Sequence, residues 1–205
     1  FEGEETGLSS TRTKIFQSLP NTGIPIDLTN YSEFQKLMRT LIQANSIESI
    51  REIWWDVRPH PGYGTVEIRV CDSIPDLEVI QDLAALIQAL VVGLCRHYEN
   101  GTQLPYLDTW IIHENKWRAT RYGIDAKLIL DSDGNQEDIT TVIKDTIFAL
   151  EPEINNLKIS ESMDRIISRI DSRHSYYKEQ IKLYNKNRSF KDLISKNVEM
   201  FKNSI

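Results

Sequence analysis

The stretch WWDVRPHPGYGTVEIRVCDS, residues 54–73, gathers the side chains best suited to chemistry in this sequence. In an extended strand, residues two apart share a face. Trp54, Asp56 and Arg58 therefore point one way in a first run. In a second, Thr65, Glu67, Arg69 and Cys71 share a face, and Val66, Ile68 and Val70 turn to the core. Pro59-His60-Pro61-Gly62-Tyr63 between them is rich in turn formers. Paired as a hairpin, the runs bring Asp56, Arg58, Glu67 and Arg69 onto one surface. Carboxylates that hold Mg²⁺ and guanidiniums that grip phosphate oxygens are what phosphoryl transfer needs, because its transition state is stabilised by positioning and charge. Arginine suits the task, since its planar fork binds phosphate or carboxylate bidentately. The same four residues would equally make cross-strand ion pairs on a solvated face. Periodicity leaves both readings open, although the lack of Lys on this face and the flanking Trp54, Trp55 and Tyr63, able to wall a pocket, favour a site.

HENKWRATRYGIDA, residues 113–126, is the second candidate. On a helix Glu114, Arg118 and Arg121 occupy neighbouring positions of one side, with Asn115 adjacent, a set able to grip a phosphate or a carboxylate. A plain Glu114–Arg118 pair at i, i+4 explains the spacing as well, and without further information is favoured. A metalloprotease His-Glu-x-x-His reading fails because Trp117 stands where the second His must be. The sequence has no GxxxxGK[ST] loop, no GxGxxG opening a helix and no GxSxG elbow. His60, His97, His113 and His174 have no metal-ligand spacing.

These segments must be positioned by a mixture of strands and helices. Apolar residues at spacings of three and four predict a helix over 31–44, through Phe34, Leu37, Met38, Leu41 and Ile42. Strand-like runs follow over 53–58 and 64–71. A long apolar helix over 76–98 is expected at the centre of the core, closed by Asn100-Gly101. A short helix over 114–122 stops at Gly123, and Asp131-Ser132-Asp133-Gly134 is a turn. Helical stripes then run over 139–150, 163–170, 176–184 and 190–201, the last of them forming a peripheral bundle. The fold class expected is α+β, antiparallel strands packed by helices with a helical C-terminal tail, and too few strands to close a sheet alone. The polar opening FEGEETGLSSTRTKIF, which begins with Phe rather than Met, reads as a cut inside a larger fold.

With 205 residues, 40% hydrophobic and 26% charged, the composition is that of an ordinary soluble domain. A formal net charge of -6 argues against a broad nucleic-acid surface. It does not exclude a nucleotide held by a few arginines. Cys71 and Cys95, in apolar sequence surroundings, form neither a disulfide framework nor a zinc spacing, so a reduced, cytoplasmic setting is the simplest reading. No apolar run is expected to approach a membrane span, and the start has no signal-peptide core.

Three segments together resemble the type 2 glutamate–cysteine ligases, or carboxylate–amine ligases: GEETGLSSTRTKIFQSLPNTGIP near the start, the hairpin stretch, and ENKWRATRYGIDA. Their order and spacing match the second half of that family, strongly over residues 1–130 and weakly over the helical tail. The resemblance implies one catalytic domain related to glutamine synthetase, of which residues 1–205 are the C-terminal part, 1–130 bearing the active-site portion and 131–205 mostly helical. It implies an ATP- and Mg²⁺-dependent enzyme that activates the glutamate γ-carboxylate as an acyl phosphate for attack by an amine, typically that of cysteine. Glu67 and Asp56 are then expected as metal ligands, Arg69 and Arg58 as catalytic phosphate contacts, and Arg12, Asn115, Arg118 and Arg121 as substrate-binding residues. The family's paired glutamates in a Gly-x-Glu-x-Glu strand have no counterpart; Glu2, Glu4 and Glu5 align with a polar mid-chain segment instead. A partial active site, inactive alone, is the expectation. The alternative is a non-catalytic nucleotide- or amino-acid-binding module. Neither nucleic acid nor membrane is expected as a partner, and self-association is possible.

Overall fold

A computed structural model describes residues 4–102, 104 and 106–205, so Glu2 lies outside the described residues. The chain falls into two compact units, one of Thr11–Asp72 and one combining residues up to Ser10 with Ser73–Ile205.

In the first unit, α1 (Thr11–Gln17) precedes a two-residue strand β1 (Thr22–Gly23) and helix α2 (Tyr31–Gln43). Asn30 starts α2 by accepting the Glu33 amide, and the Glu33 carboxylate returns to the Thr29 amide. The first bond satisfies a donor that the helix N-terminus would otherwise leave open, and the second secures the residue before the cap. The apolar stripe of α2 buries Phe34 and Met38 against Ile47, Ile53 and Trp55, which together form the core of the unit. A 3₁₀ turn, Ile50–Glu52, carries a capping box from Ser49 and leads into β2 (Trp54–Trp55), β3 (Val57–His60) and β4 (Thr65–Ile68). β3 and β4 pair antiparallel, Arg58 opposite Glu67 and His60 opposite Thr65. β1 and β2 pair parallel, which departs from the antiparallel arrangement expected throughout.

Two further expectations need correcting here. The run 53–58 is not one strand: it bends at Asp56, so Trp54 is exposed while Arg58 is 4% exposed. Val66 and Val70 do not face a core; both are exposed, because a two-stranded ribbon with its polar side turned to the unit leaves its apolar side uncovered. The polar opening also holds a helix, α1, where none was expected.

The second unit is built on α3 (Leu77–Glu99), capped by the Asp76 carboxylate. After it come α4 (Thr109–Tyr122), the antiparallel pair β5 (Lys127–Ile129) and β6 (Gln136–Asp138), α5 (Ile139–Ala149), α6 (Glu151–Leu157), α7 (Ser160–Asp171), α8 (Tyr176–Asn187) and α9 (Phe190–Asn203). One face of α3, with Ala85, Leu86, Ala89 and Leu90, packs with Ile147, Leu150, Ile154 and Met163. Asp82, fully buried on that side, is held by both Nε and Nη2 of Arg165 from α7 at 2.6–3.1 Å. The opposite face leaves Ile80, Val91, Leu94 and Tyr98 exposed, so α3 is central on one side only.

The expectation that no apolar run approaches a membrane span is also corrected: α3 is 23 residues long with a mean hydropathy of 1.8 over its most apolar window, enough to cross a membrane by length and composition. One of its faces packs in the core described above, and its second turn carries an ion-paired carboxylate, Asp82. Cys71 and Cys95 are both exposed, against the apolar surroundings their neighbours in sequence suggest. The architecture is α+β, with short strand pairs and a predominance of helix.

Candidate functional site

The polar face of the β3–β4 hairpin is the one place where the expected residues converge. A cross-strand partner is directly opposite in an antiparallel pair, and the register sets Arg58 against Glu67. Arg58 Nη2 donates to Glu67 Oε2 at 2.6 Å and its Nε to the same oxygen at 3.2 Å. Arg58 Nη1 donates to the carbonyls of Ile50 and Ile53 at 2.8 and 2.7 Å. The buried guanidinium is thus committed to its own surroundings on every side. Arg69, two residues beyond Glu67, places Nη1 2.6 Å from Glu67 Oε1. One carboxylate bridges two guanidiniums. These two partners hold its pKa below the ordinary value, the hydrogen bond from Arg58 contributing most.

The ladder continues past β3 through the Arg69 amide, which donates to the Asp56 carbonyl at 2.7 Å. Arg58, Glu67 and Arg69 therefore share a surface as expected, and Asp56 meets the group through its backbone. Arg12 joins them. It lies on α1, and its Nη2 donates to the Arg69 carbonyl at 3.2 Å while Nη1 sits 3.7 Å from Asp72. Its guanidinium lies over the Phe16 ring, which in turn packs against Trp54 at 5.5 Å between centroids.

This face lines an open groove of about 490 Å³, with Arg51, Trp54, His60, Tyr63, Glu67 and Arg69 around it. Trp54 lies under the Arg69 guanidinium at 5.9 Å. The loop of the hairpin folds His60 onto Tyr63, their centroids 4.5 Å apart and nearly parallel. Gly64, at φ +63, makes the turn that a side-chain-bearing residue would strain. Arg51 and His60 are groove residues that sequence reasoning did not select. For His60 the signal was available: it is two residues from Arg58, hence on the same face.

Asn115, Arg118 and Arg121 belong to the other unit, on α4. The Asn115 amide makes both hydrogen bonds to the Ile129 backbone, at 2.8 and 2.7 Å, and so ties α4 to β5. Arg118 pairs with Glu114 at 3.0 Å and also donates to the Lys127 carbonyl and to Gln136, bracing β5 and β6. Arg121 donates to the Gly7 carbonyl. The three hold the unit's elements together in this arrangement.

The fit of a metal can be judged from the donors. Among the described residues no group of three or more His, Cys, Asp or Glu side chains could hold an ion. Both oxygens of Glu67 are taken by guanidiniums. Among the described residues, then, the side chains around Glu67 do not bring together a set of Mg²⁺ ligands.

Comparison with known proteins gives a consistent result. The family model described as glutamate-cysteine ligase family 2 (GCS2) matches residues 1–182. The chain is similar to "Putative glutamate--cysteine ligase 2-1" of Frankia alni, 39% identical over 178 residues, 87% of this chain and 47% of the relative. It is similar to "Putative glutamate--cysteine ligase 2" of Bdellovibrio bacteriovorus, 33% identical over 99% of this chain and 53% of the relative, and to the protein of the same name from Thermobifida fusca, 36% identical over 98% and 50%. The chain spans about half the length of the curated relatives it matches. With a family match over most of its residues, the chain belongs to the glutamate-cysteine ligase family 2.

Proposed function

We propose that this chain supplies the phosphate-binding hairpin of an ATP-dependent ligase that joins the γ-carboxylate of glutamate to an amine, typically that of cysteine, through an acyl phosphate on a glutamine-synthetase-like sheet. The observation that carries the reading is the bridged Arg58–Glu67–Arg69 group facing the open groove. Fixed guanidiniums aimed at a site where phosphate charge develops stabilise it without reorganisation. Arg69, 27% exposed and on the groove, is the phosphate contact. Arg58, fully engaged behind it, positions Glu67, and through Glu67 it fixes Arg69. Arg12 holds the Arg69 backbone and offers its partly exposed fork to a substrate carboxylate. Asn115, Arg118 and Arg121 act in substrate binding through the order they impose around β5. Both oxygens of Glu67 accept from guanidiniums and Asp56 meets the group through its carbonyl, so Mg²⁺ coordination, and catalysis with it, is assigned to the family-length protein. The chain alone binds without turning over.

Calorimetric titration of the chain with ATP in Mg²⁺-containing buffer tests this. ATP binding is expected, and Arg69→Ala weakens it by roughly tenfold to a hundredfold, the loss of a charge-assisted contact of about 1.5–3 kcal/mol. A wild-type chain that binds no ATP, or an Arg69→Ala chain that binds it unchanged, overturns the reading.

A further inference from the structure

We propose that His60 is a further ligand-contacting residue of the hairpin groove, donating its Nε2–H to an anionic oxygen of the molecule bound beside Arg69. The inference rests on the ligand-binding reading above and adds a residue and a specific atom to it.

His60 stands one strand step from Arg58 on the same face, opposite Thr65. A step of two residues is about 6.6–6.8 Å along a strand, so the ring is within reach of a ligand that also meets Arg69. Its orientation is set by the stack on Tyr63, and Gly62 of the hairpin loop lies alongside the ring, where even a Cβ would stand 3.5 Å from Cε1 and 3.6 Å from Nδ1. Nδ1 is buried beneath that loop and has no hydrogen-bond partner.

The tautomer follows from this burial. A buried N–H without an acceptor costs the full desolvation of a donor. An unfilled lone pair is the more tolerable orphan, as under-satisfied acceptors are the commoner exception in folded proteins. The proton therefore belongs on Nε2, the nitrogen left open on a groove-lining residue. Glu67, the carboxylate among the groove residues, accepts from Arg58 and Arg69 and makes no hydrogen bond to His60. A ligand oxygen is what completes the site. A phosphate oxygen and a substrate carboxylate share this chemistry, and the titrations below separate them.

The test uses the full chain and two substitutions that mimic one ring nitrogen each. The side-chain amide nitrogen of Gln reaches close to the position of Nε2, and that of Asn lies nearer Nδ1. Binding of ATP with Mg²⁺, and separately of L-glutamate, is measured by calorimetry for wild type, His60→Gln and His60→Asn, with thermal midpoints alongside. Expected is a loss of about tenfold in affinity for His60→Asn and near-retention for His60→Gln, at matched midpoints. A loss confined to ATP assigns the oxygen to a phosphate, and one confined to glutamate assigns it to a carboxylate. If both variants bind as wild type does, or weaken equally with a fall in midpoint, His60 only packs on Tyr63 and the inference fails alone. A wild-type chain that binds neither compound overturns the ligand-binding reading and this inference together.

Discussion

Replacing Glu67 by Gln separates what the hairpin face does for stability from what it does for a ligand. The substitution keeps the shape and removes the charge on which Arg58, 4% exposed, depends. Removing one partner of a buried pair costs about 3–5 kcal/mol, because the remaining charge is stranded in a poorly polarisable surrounding. Two features lower that figure here. Glu67 itself is 36% exposed, so water screens its side of the pair. The Gln oxygen also still accepts from Arg58, whose Nη1 keeps the Ile50 and Ile53 carbonyls. The loss of charge assistance, about 2 kcal/mol, is the apt measure. For a unit of roughly sixty residues that lowers Tm by roughly 8–16 °C.

The assay is thermal unfolding followed in the near-ultraviolet, where Trp54 and Trp55 report on this unit. Arg69→Gln serves as the control. It leaves the Arg58–Glu67 pair whole and removes a partly exposed partner, so its effect is under about 1 kcal/mol. The pH dependence has a definite sign. Glu67 has a lowered pKa in the folded chain, chiefly through the Arg58 hydrogen bond and then the Arg69 one. Its contribution is whole above the ordinary carboxylate value of 4.5 and is lost as pH falls through the lowered one. The gap between wild type and Glu67→Gln is therefore full at neutral pH and closes in acid. A Tm for Glu67→Gln within about 2 °C of wild type at neutral pH refutes the reasoning, since it means the stranded guanidinium carries no cost.

Asp82→Asn removes the charge of a fully buried acceptor, but Arg165 is 35% exposed and the Asn oxygen still accepts from it; a loss of about 1.5–3 kcal/mol of charge assistance is expected in urea unfolding, and one below about 0.5 kcal/mol would show that the pair is not sustaining α3 against α7. Asn115→Ala removes both hydrogen bonds to Ile129, and about 1–3 kcal/mol is lost for each backbone group left dry; hydrogen exchange at Ile129 should accelerate with it, and unchanged protection counts against the brace. Gly123→Ala combines a φ of +57 with a Cβ 2.6 Å from Ser9 Oγ, so unfolding measurements should show a loss of about 1–3 kcal/mol; a neutral outcome means the Ser9 segment moves aside freely. With ATP, glutamate, cysteine and Mg²⁺ the chain alone should release no ADP above background, and steady release would refute the incomplete-site argument.

The elements with a strong apolar period were legible before the structure. Periodicity located α2, α3, α5, α8 and α9 within a few residues, because each buries a stripe at helical spacing. Short elements with little apolar signal escaped: α1 is mostly polar, α6 follows α5 directly, and β5 and β6 run for three residues each. The hairpin pairing was legible from alternation, which put Arg58, Glu67 and Arg69 on one surface. The bend at Asp56 was not, since nothing in the residue types marks where a strand's twist is interrupted. Burial was the larger omission. Alternation along the strands places Glu67 beside Arg58, but it does not show that Arg58 is enclosed by the Ile50 and Ile53 carbonyls, on which the expected cost of Glu67→Gln depends. The Asp82–Arg165 pair spans 83 positions, and no local pattern connects its two residues.

The acidic balance of the whole chain and the character of the groove point in opposite directions. A net charge of -6 is spread over 205 residues, and its exposed members are screened beyond about 8–10 Å. Within the groove the balance is three guanidiniums, from Arg51, Arg58 and Arg69, against the single carboxylate of Glu67. Glu67 does not cancel them evenly. Arg58 is enclosed and cannot leave it, whereas Arg69 meets it through one nitrogen only. On the proposed reading, an arriving anion would compete with Glu67 for Arg69 and leave the Arg58 pair intact. Glu67 holds the Arg69 fork in place before the ligand arrives, so little side-chain freedom is lost on binding. On the proposed reading, a carboxylate between two arginines is the part that orients the cation, and affinity for an anion would come from Arg69 and Arg51 in front of it.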